Sequence, residues 1–175
     1  MRKIKLTALV LALLLLFTAC GRAKVDADAV VEGNATSTVT AGENVFEIKD
    51  STVRMNGELL AGGIGAVEDV IYVLGNKVYF NTDEGAKYIS TKNGKIKKFG
   101  AGRIVYAQGE WLYYNNTDLY MVNVNDGKQN LLHQRDIAGG QPELEFKEDT
   151  GEKIYFTDGT KSFYIKKNGT ALTEE

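Results

Sequence analysis

One histidine, His133, and one cysteine, Cys20, supply the chain's only imidazole and thiol. A zinc site would have to surround a single imidazole with carboxylates, which is not the nitrogen- and sulfur-rich set that zinc prefers. Asp136 lies three residues beyond His133, but no serine sits in a Gly-x-Ser-x-Gly context that would make it a nucleophile. Glu143 and Glu145 come closest to a catalytic pair. On an extended strand they share a face with Cα atoms about 7 Å apart, a separation that suits the carboxylates of an inverting glycosidase. Such a pair needs one carboxyl in an apolar pocket, and residues 142–152 are mostly polar. Asn123-Val124-Asn125-Asp126-Gly127 opens like a calcium loop, yet Leu131, Leu132 and His133 stand where a closing bidentate glutamate belongs. No catalytic residue, metal or cofactor is expected.

Binding chemistry is better represented. Trp111, with Arg103 and Tyr113 near it, offers an aromatic surface that can stack on a sugar ring or anchor a protein partner. His133 opens a ten-residue connection to Pro142 that contains Gly139-Gly140, and insertions on one face of a repeat array are common contact sites. Trp111, Arg103, Tyr113 and His133 are the ligand-binding candidates.

These residues sit on a repeat. Gly42, Gly75, Gly109 and Gly151 each stand three residues before an apolar strand, at spacings of 33, 34 and 42. Each is followed, 15 to 19 residues on, by Asn56-Gly57, Asn93-Gly94, Asp126-Gly127 or Asn168-Gly169. Asn-Gly and Asp-Gly between alternating strands predict type I′ hairpin turns. Nineteen glycines, nine tyrosines and a single proline suit many turns with aromatic strands between them. Four units follow, at about 37–61, 68–99, 102–133 and 143–173, each of four short antiparallel strands, the size of a propeller blade. The second strand of a unit is apolar on both faces (Val78-Tyr79-Phe80, Leu112-Tyr113-Tyr114), as expected of sheets stacked face to face. Trp111 opens that strand where the other units carry Asn44, Lys77 and Lys153, so an exposed position is predicted for it. The end units are polar and short, which predicts an open or loosely closed array. The fold class is therefore all-β, four propeller-like blades, closed or open, in residues 37–175.

The N-terminus predicts an address. Arg2, Lys3 and Lys5 precede an apolar run from Leu6 to Ala19, too short to span a bilayer and laid out as an export signal. Phe17-Thr18-Ala19-Cys20 resembles the bacterial lipobox, which implies cleavage after residue 19 and lipidation of Cys20. Residues 20–36 are expected to form a flexible tether. Without residues 1–19 the chain has 18 basic and 23 acidic groups, a formal charge of −5 that disfavours nucleic acid. The clusters Lys95-Ile96-Lys97-Lys98 and Lys166-Lys167 read as solvated strand edges.

Ile154-Tyr155-Phe156-Thr157-Asp158 resembles the Tyr-Trp-Thr-Asp blade motif of low-density-lipoprotein-receptor propellers. Trp111-Leu112-Tyr113-Tyr114-Asn115, followed by Leu119-Tyr120 and Asp126-Gly127, is similar to bacterial lipoproteins that carry receptor-related propeller repeats. The resemblance implies a propeller-like domain on a lipid-anchored envelope protein. That family commonly uses six blades; this chain supplies four. The expected function is non-catalytic binding or structure at the cell envelope, outside the cytoplasm, with the membrane as one partner and a glycan or envelope protein as another. The alternatives are a polysaccharide-acting enzyme using Glu143 and Glu145, or a subunit of a larger envelope complex.

Overall fold

The computed structural model describes residues 31–34, 38–49, 51–65 and 67–175. The predicted leader, Cys20 and most of the predicted tether lie outside these residues.

Every described element is a strand or a connection between strands. The first sheet takes β2 (Thr38–Ala41), β3 (Asn44–Lys49), β4 (Thr52–Met55) and β5 (Glu58–Gly62) in sequence order. The second takes β6 (Val67–Leu74), β7 (Lys77–Thr82), β8 (Gly85–Ser90) and β9 (Ile96–Lys98), with β1 (Val31–Asn34) added beside β6. The third is β10 (Arg103–Gln108), β11 (Trp111–Asn116), β12 (Asp118–Asn123) and β13 (Gln129–His133). The fourth is β14 (Glu145–Asp149), β15 (Lys153–Thr157), β16 (Ser162–Lys166) and β17 (Thr173–Glu174). All four are antiparallel meanders, an arrangement consistent with a propeller-like repeat.

The recurring glycine has a single structural cause. In the first three units it is the first residue of a two-residue hairpin loop, with φ of 60° at Gly42, 57° at Gly75 and 58° at Gly109, while Gly151, at 84°, lies within the three-residue connection between β14 and β15. Positive φ at the first loop position only is the mark of a type II′ turn, which suits the twist of the paired strands and favours glycine there. The second anchor needs correction. Only Asn56-Gly57 has positive φ at both residues (54° and 82°), as type I′ demands. At Asn93-Gly94 and Asp126-Gly127 the glycine alone is left-handed, and it closes a longer loop: Gly94 N–H donates to Ser90 O and Gly127 N–H to Asn123 O, both at 2.9 Å. At Asn168-Gly169 it is the asparagine that takes positive φ. Asn-Gly marked the turns correctly; the loop length, not the dipeptide, set their type.

A second correction concerns the tether. Val31–Asn34 pairs antiparallel with Val70–Val73, so four residues assigned to a flexible segment are strand β1. The pairing covers the inner edge of β6, whose backbone N–H and C=O groups would otherwise be an open template.

Side-chain alternation then stacks the sheets. One face of the second sheet (Ile71, Val73, Val78, Phe80, Ile89) meets Val39, Phe46, Ile48 and Val53 of the first. Its other face (Tyr72, Leu74, Tyr79) meets Ile104, Leu112 and Tyr114 of the third. The far face of the third (Tyr106, Tyr113, Met121) meets Ile154, Phe156 and Ile165 of the fourth. Rings join across two of these seams. Phe99 lies edge-on to Tyr79 at 5.8 Å and to Tyr114 at 5.2 Å, and Tyr106 stacks on Phe146 at 4.0 Å. Among the described residues, no core cluster unites the fourth sheet with the first. β7 and β11 are buried on both faces, whereas β3 and β15 are buried on one. Among the described residues, the core clusters thus lie in three seams between consecutive sheets.

Asparagine clamps reinforce the seams. Asn81 Nδ2 donates to Ile104 O and its Oδ1 accepts from Ile104 N–H, both at 2.8 Å, so one buried side chain imitates a strand neighbour of the next sheet. Asn115, at the same place in the third unit, donates to Leu144 O at 2.6 Å.

Candidate functional site

Trp111 is the second residue past Gly109, paired with Gln108 across the hairpin and with Asn123 on β12. Because residues two apart on a strand share a face, Trp111 and Tyr113 both point at the fourth sheet. Met121, opposite Tyr113, completes that wall. In the second unit the matching cross-strand pair is Tyr79 and Tyr88, with Lys77 above it, 5.0 Å from the Tyr88 ring. In the fourth it is Tyr155 and Tyr164, with Lys153 3.9 Å from the Tyr164 ring. The third unit has thus exchanged a lysine for tryptophan and a tyrosine for methionine at one spot on the sheet.

The exchanged side chains line a cleft of about 450 Å³. One wall is Gln108, Glu110, Trp111, Tyr113 and Met121; the other is the loop at 167–170, which contributes Lys167, Asn168 and Thr170. Trp111 is half-buried and rests against the third core, so one part of the indole is fixed by packing. Its wall mate is that loop of the fourth unit.

The polar groups around the cleft are held in place. Asn125 Nδ2 donates to Glu110 Oε2 at 2.7 Å. Gln108 Nε2 and Tyr106 Oη both donate to Asp149 Oδ2, at 2.6 and 2.8 Å, while Gly151 N–H donates to Oδ1 at 2.7 Å. Tyr113 is buried, and that burial, with the Asp149 carboxylate adding to it, pushes its phenol well above the usual range. Tyr113 therefore stays protonated and lines the cleft beside Trp111 and Met121.

No protein-family model matches this chain, and no characterised protein is significantly similar to it.

Of the four candidate residues, Trp111 and Tyr113 come together and the other two stand apart. Arg103 is exposed and pairs with Asn115, at the opposite end of β11 from Trp111. His133 pairs with Leu119, which itself pairs with Asn115, so it lies on that far row too. Its ring packs on Phe163 at 5.2 Å, and its Nε2 is buried. Four residues of strand put the two ends of β11 about 13 Å apart. The two-residue loop at Gly109-Glu110 contained this answer, since it fixes Gln108 opposite Trp111 and sends Arg103 to the far end. The same count would have found Gln108; nothing in the sequence pointed to Asp149 or to the 167–170 loop.

The loop from His133 to Pro142 is braced by its own side chains. Arg135 Nε donates to Gln141 O at 2.6 Å, Asp136 N–H to Gln141 Oε1 at 3.0 Å and Gly139 N–H to Asp136 Oδ1 at 2.8 Å. It also displaces the predicted acidic pair. β14 begins at Glu145, not Glu143, because Leu144 turns into the third core at 2% exposure. Glu143 lies outside the strand and bonds Arg135 at 3.2 Å, so the two carboxylates do not stand in strand register. The calcium-like stretch is likewise a turn: Asn123 Oδ1 accepts from Asn125 N–H at 2.9 Å, and Asp126 Oδ1 accepts from Lys128 N–H at 2.9 Å. Among the described residues, no group of three or more His, Cys, Asp or Glu side chains is placed to hold a metal ion.

Asp158, the aspartate of the blade-motif resemblance, has a structural task. It accepts from Lys161 N–H at 2.7 Å and from Thr160 N–H and Oγ1 at 2.9 and 2.8 Å. The Lys161 N–H first, then the two Thr160 donors, hold its carboxyl far below the usual carboxylate range. It ties the turn between β15 and β16.

Proposed function

We propose that this chain is a non-catalytic binding protein of the bacterial cell envelope, held outside the cytoplasm by lipid on Cys20, and that the Trp111 cleft takes a carbohydrate. Trp111 carries the reading: a half-buried indole in a cleft, at a position where the neighbouring units place lysine. A sugar offers an apolar C–H face and a rim of hydroxyls. Trp111 and Met121 match the first; Glu110, Lys167, Asn168 and Thr170 supply acceptors and donors for the second. The wall is also prepared in advance, since Glu110 and Gln108 are fixed by Asn125 and Asp149, and fixed groups lose less entropy when they bind. The resemblance to lipoproteins with receptor-related propeller repeats supports the same assignment, as does the hairpin carrying Trp111 that bears it.

Glycan-array screening followed by calorimetry with the best ligand tests the cleft. Trp111→Ala is expected to weaken binding by about thirtyfold, the loss typical of a central aromatic anchor, in a protein that melts somewhat lower but still cooperatively, with no product formed from the glycan. Equal affinity in the variant, or hydrolysis by the wild-type protein, would overturn the reading.

The anchor is tested separately by membrane fractionation. Cys20→Ser is expected to move the protein from the membrane pellet to the soluble fraction, because the acyl chains of a lipoprotein, not any single weak contact, make attachment stable. A variant that still pellets after a salt wash would show that something other than lipid holds it.

A further inference from the structure

The lysines of the second unit have no role in the Trp111 cleft, and they are arranged. Lys77 opens β7, and Ser90 lies directly across from it on β8. One step along the same face is Tyr88, which pairs with Lys97 on β9. The loop that follows Ser90 brings Lys95 to the same corner, its carbonyl accepting from Ser90 N–H at 3.1 Å. Lys77, Lys95 and Lys97 together with Ser90, Asn93 and Tyr88 line a second cleft of about 330 Å³. It occupies the place on the second sheet that the Trp111 cleft occupies on the third.

No carboxylate lines this cleft. Among the described residues Lys77, Lys95 and Lys97 have no carboxylate partner, whereas Lys87, Lys128 and Lys161 are each paired with an acidic side chain. Three unpaired ammonium groups in one concavity are out of keeping with a chain whose net charge is negative. The neutral groups also favour an anion. Asn93 Oδ1 is used by Lys95 N–H at 3.1 Å, which turns the asparagine NH₂ outward as a donor. The Ser90 hydroxyl is a further donor. Lys77 is steadied 5.0 Å from the Tyr88 ring, and burial, with Lys97 as the smaller cause, draws its ammonium below the ordinary lysine range. A bound anion relieves both strains on that charge.

We propose that this corner of the second sheet is a binding site for a phosphate-bearing anion. Lysine binds phosphate as a point charge, and three of them around hydroxyl and amide donors suit a group with several oxygens and more than one negative charge. The phosphate can belong to a soluble compound or to the headgroup of an anionic lipid. The chemistry at the site is the same in both.

Calorimetry of the full-length protein with inorganic pyrophosphate tests the soluble source. Sedimentation of the Cys20→Ser protein with phosphatidylglycerol vesicles, against phosphatidylcholine vesicles, tests the lipid source without the N-terminal acyl chains, which would carry the protein down with either vesicle. Lys77→Gln and Lys97→Gln are each expected to reduce binding of the effective probe by about tenfold or more, as loss of a charge-assisted hydrogen bond does. The affinity should also fall as salt rises. Lys128→Gln, on a remote turn and already paired with Asp126, removes the same charge and should leave binding unchanged. Lysine-dependent binding of pyrophosphate alone assigns a soluble phosphate, and of phosphatidylglycerol alone assigns a headgroup. If neither probe binds at low salt, or if Lys128→Gln weakens binding as much as Lys77→Gln, the site does not exist and the patch is only a source of surface charge.

Discussion

Gly102→Ala should lower the melting temperature by about 10 °C, the consequence of roughly 3 kcal/mol lost in a domain of this size. Gly102 lies where the chain crosses from the second sheet into the third, and it is pressed against backbone. A Cβ built there would sit far inside contact distance of the Asn115 carbonyl oxygen, with Asn116 Cα at 2.8 Å. The neighbour cannot swing away as a side-chain tip would, because Asn115 is paired with Arg103 and its own side chain grips Leu144. Gly102 also donates its N–H to Tyr114 Oη at 2.6 Å, and its carbonyl accepts from Ala86 N–H at 2.9 Å. Forcing the two strands apart therefore disturbs the second seam and the clamp on the third together. Gly127→Ala is the control. Its φ of 73° is left-handed, but nothing lies within 4 Å of the added methyl, so only the backbone penalty of about 1–2 kcal/mol applies. Thermal melts of the two variants separate crowding from handedness. A Gly102→Ala protein that melts no lower than Gly127→Ala would show that the crossing segment yields.

The second strand of the two middle units, β7 and β11, was legible because it is apolar on both faces and follows a glycine at a fixed offset; β15 follows the same offset. Local chemistry sufficed there: the two-residue loop wants a glycine and the strand wants covered side chains. Elements decided by remote partners were not legible. Val31–Asn34 has a glycine inside it and no alternation, and it is a strand only because β6 offers an edge. Glu143 lost its strand register because Leu144 found a core position in another unit. The site divides along the same line. The replacement of lysine by Trp111 is visible by comparing repeats. The loop facing it belongs to the next unit, and that pairing is a property of how sheets stack.

Removing residues 1–66 should leave a chain that self-associates rather than a smaller, soluble array. The outer face of the first sheet is the polar one: Glu47 and Arg54 face each other there and Thr38 is exposed, the look of a cap that an open array could shed. The inner face argues otherwise. Ile71, Val73, Val78, Phe80 and Ile89 of the second sheet are each no more than 2% exposed, and the first sheet is what covers them. At about 1.5–3 kcal/mol for each side chain returned to water, uncovering the five costs roughly 8–15 kcal/mol, as much as the whole net stability of an ordinary domain. The truncation also takes away β1 and reopens the inner edge of β6 beside that apolar face, and a bare edge next to a bare face is the usual start of sheet-to-sheet association. Light scattering on the purified truncated protein checks the outcome. Oligomers or aggregate are expected. A monomer with a cooperative melt would mean that the third and fourth sheets hold the second in shape unaided, and that the first seam contributes little to the fold despite its burial.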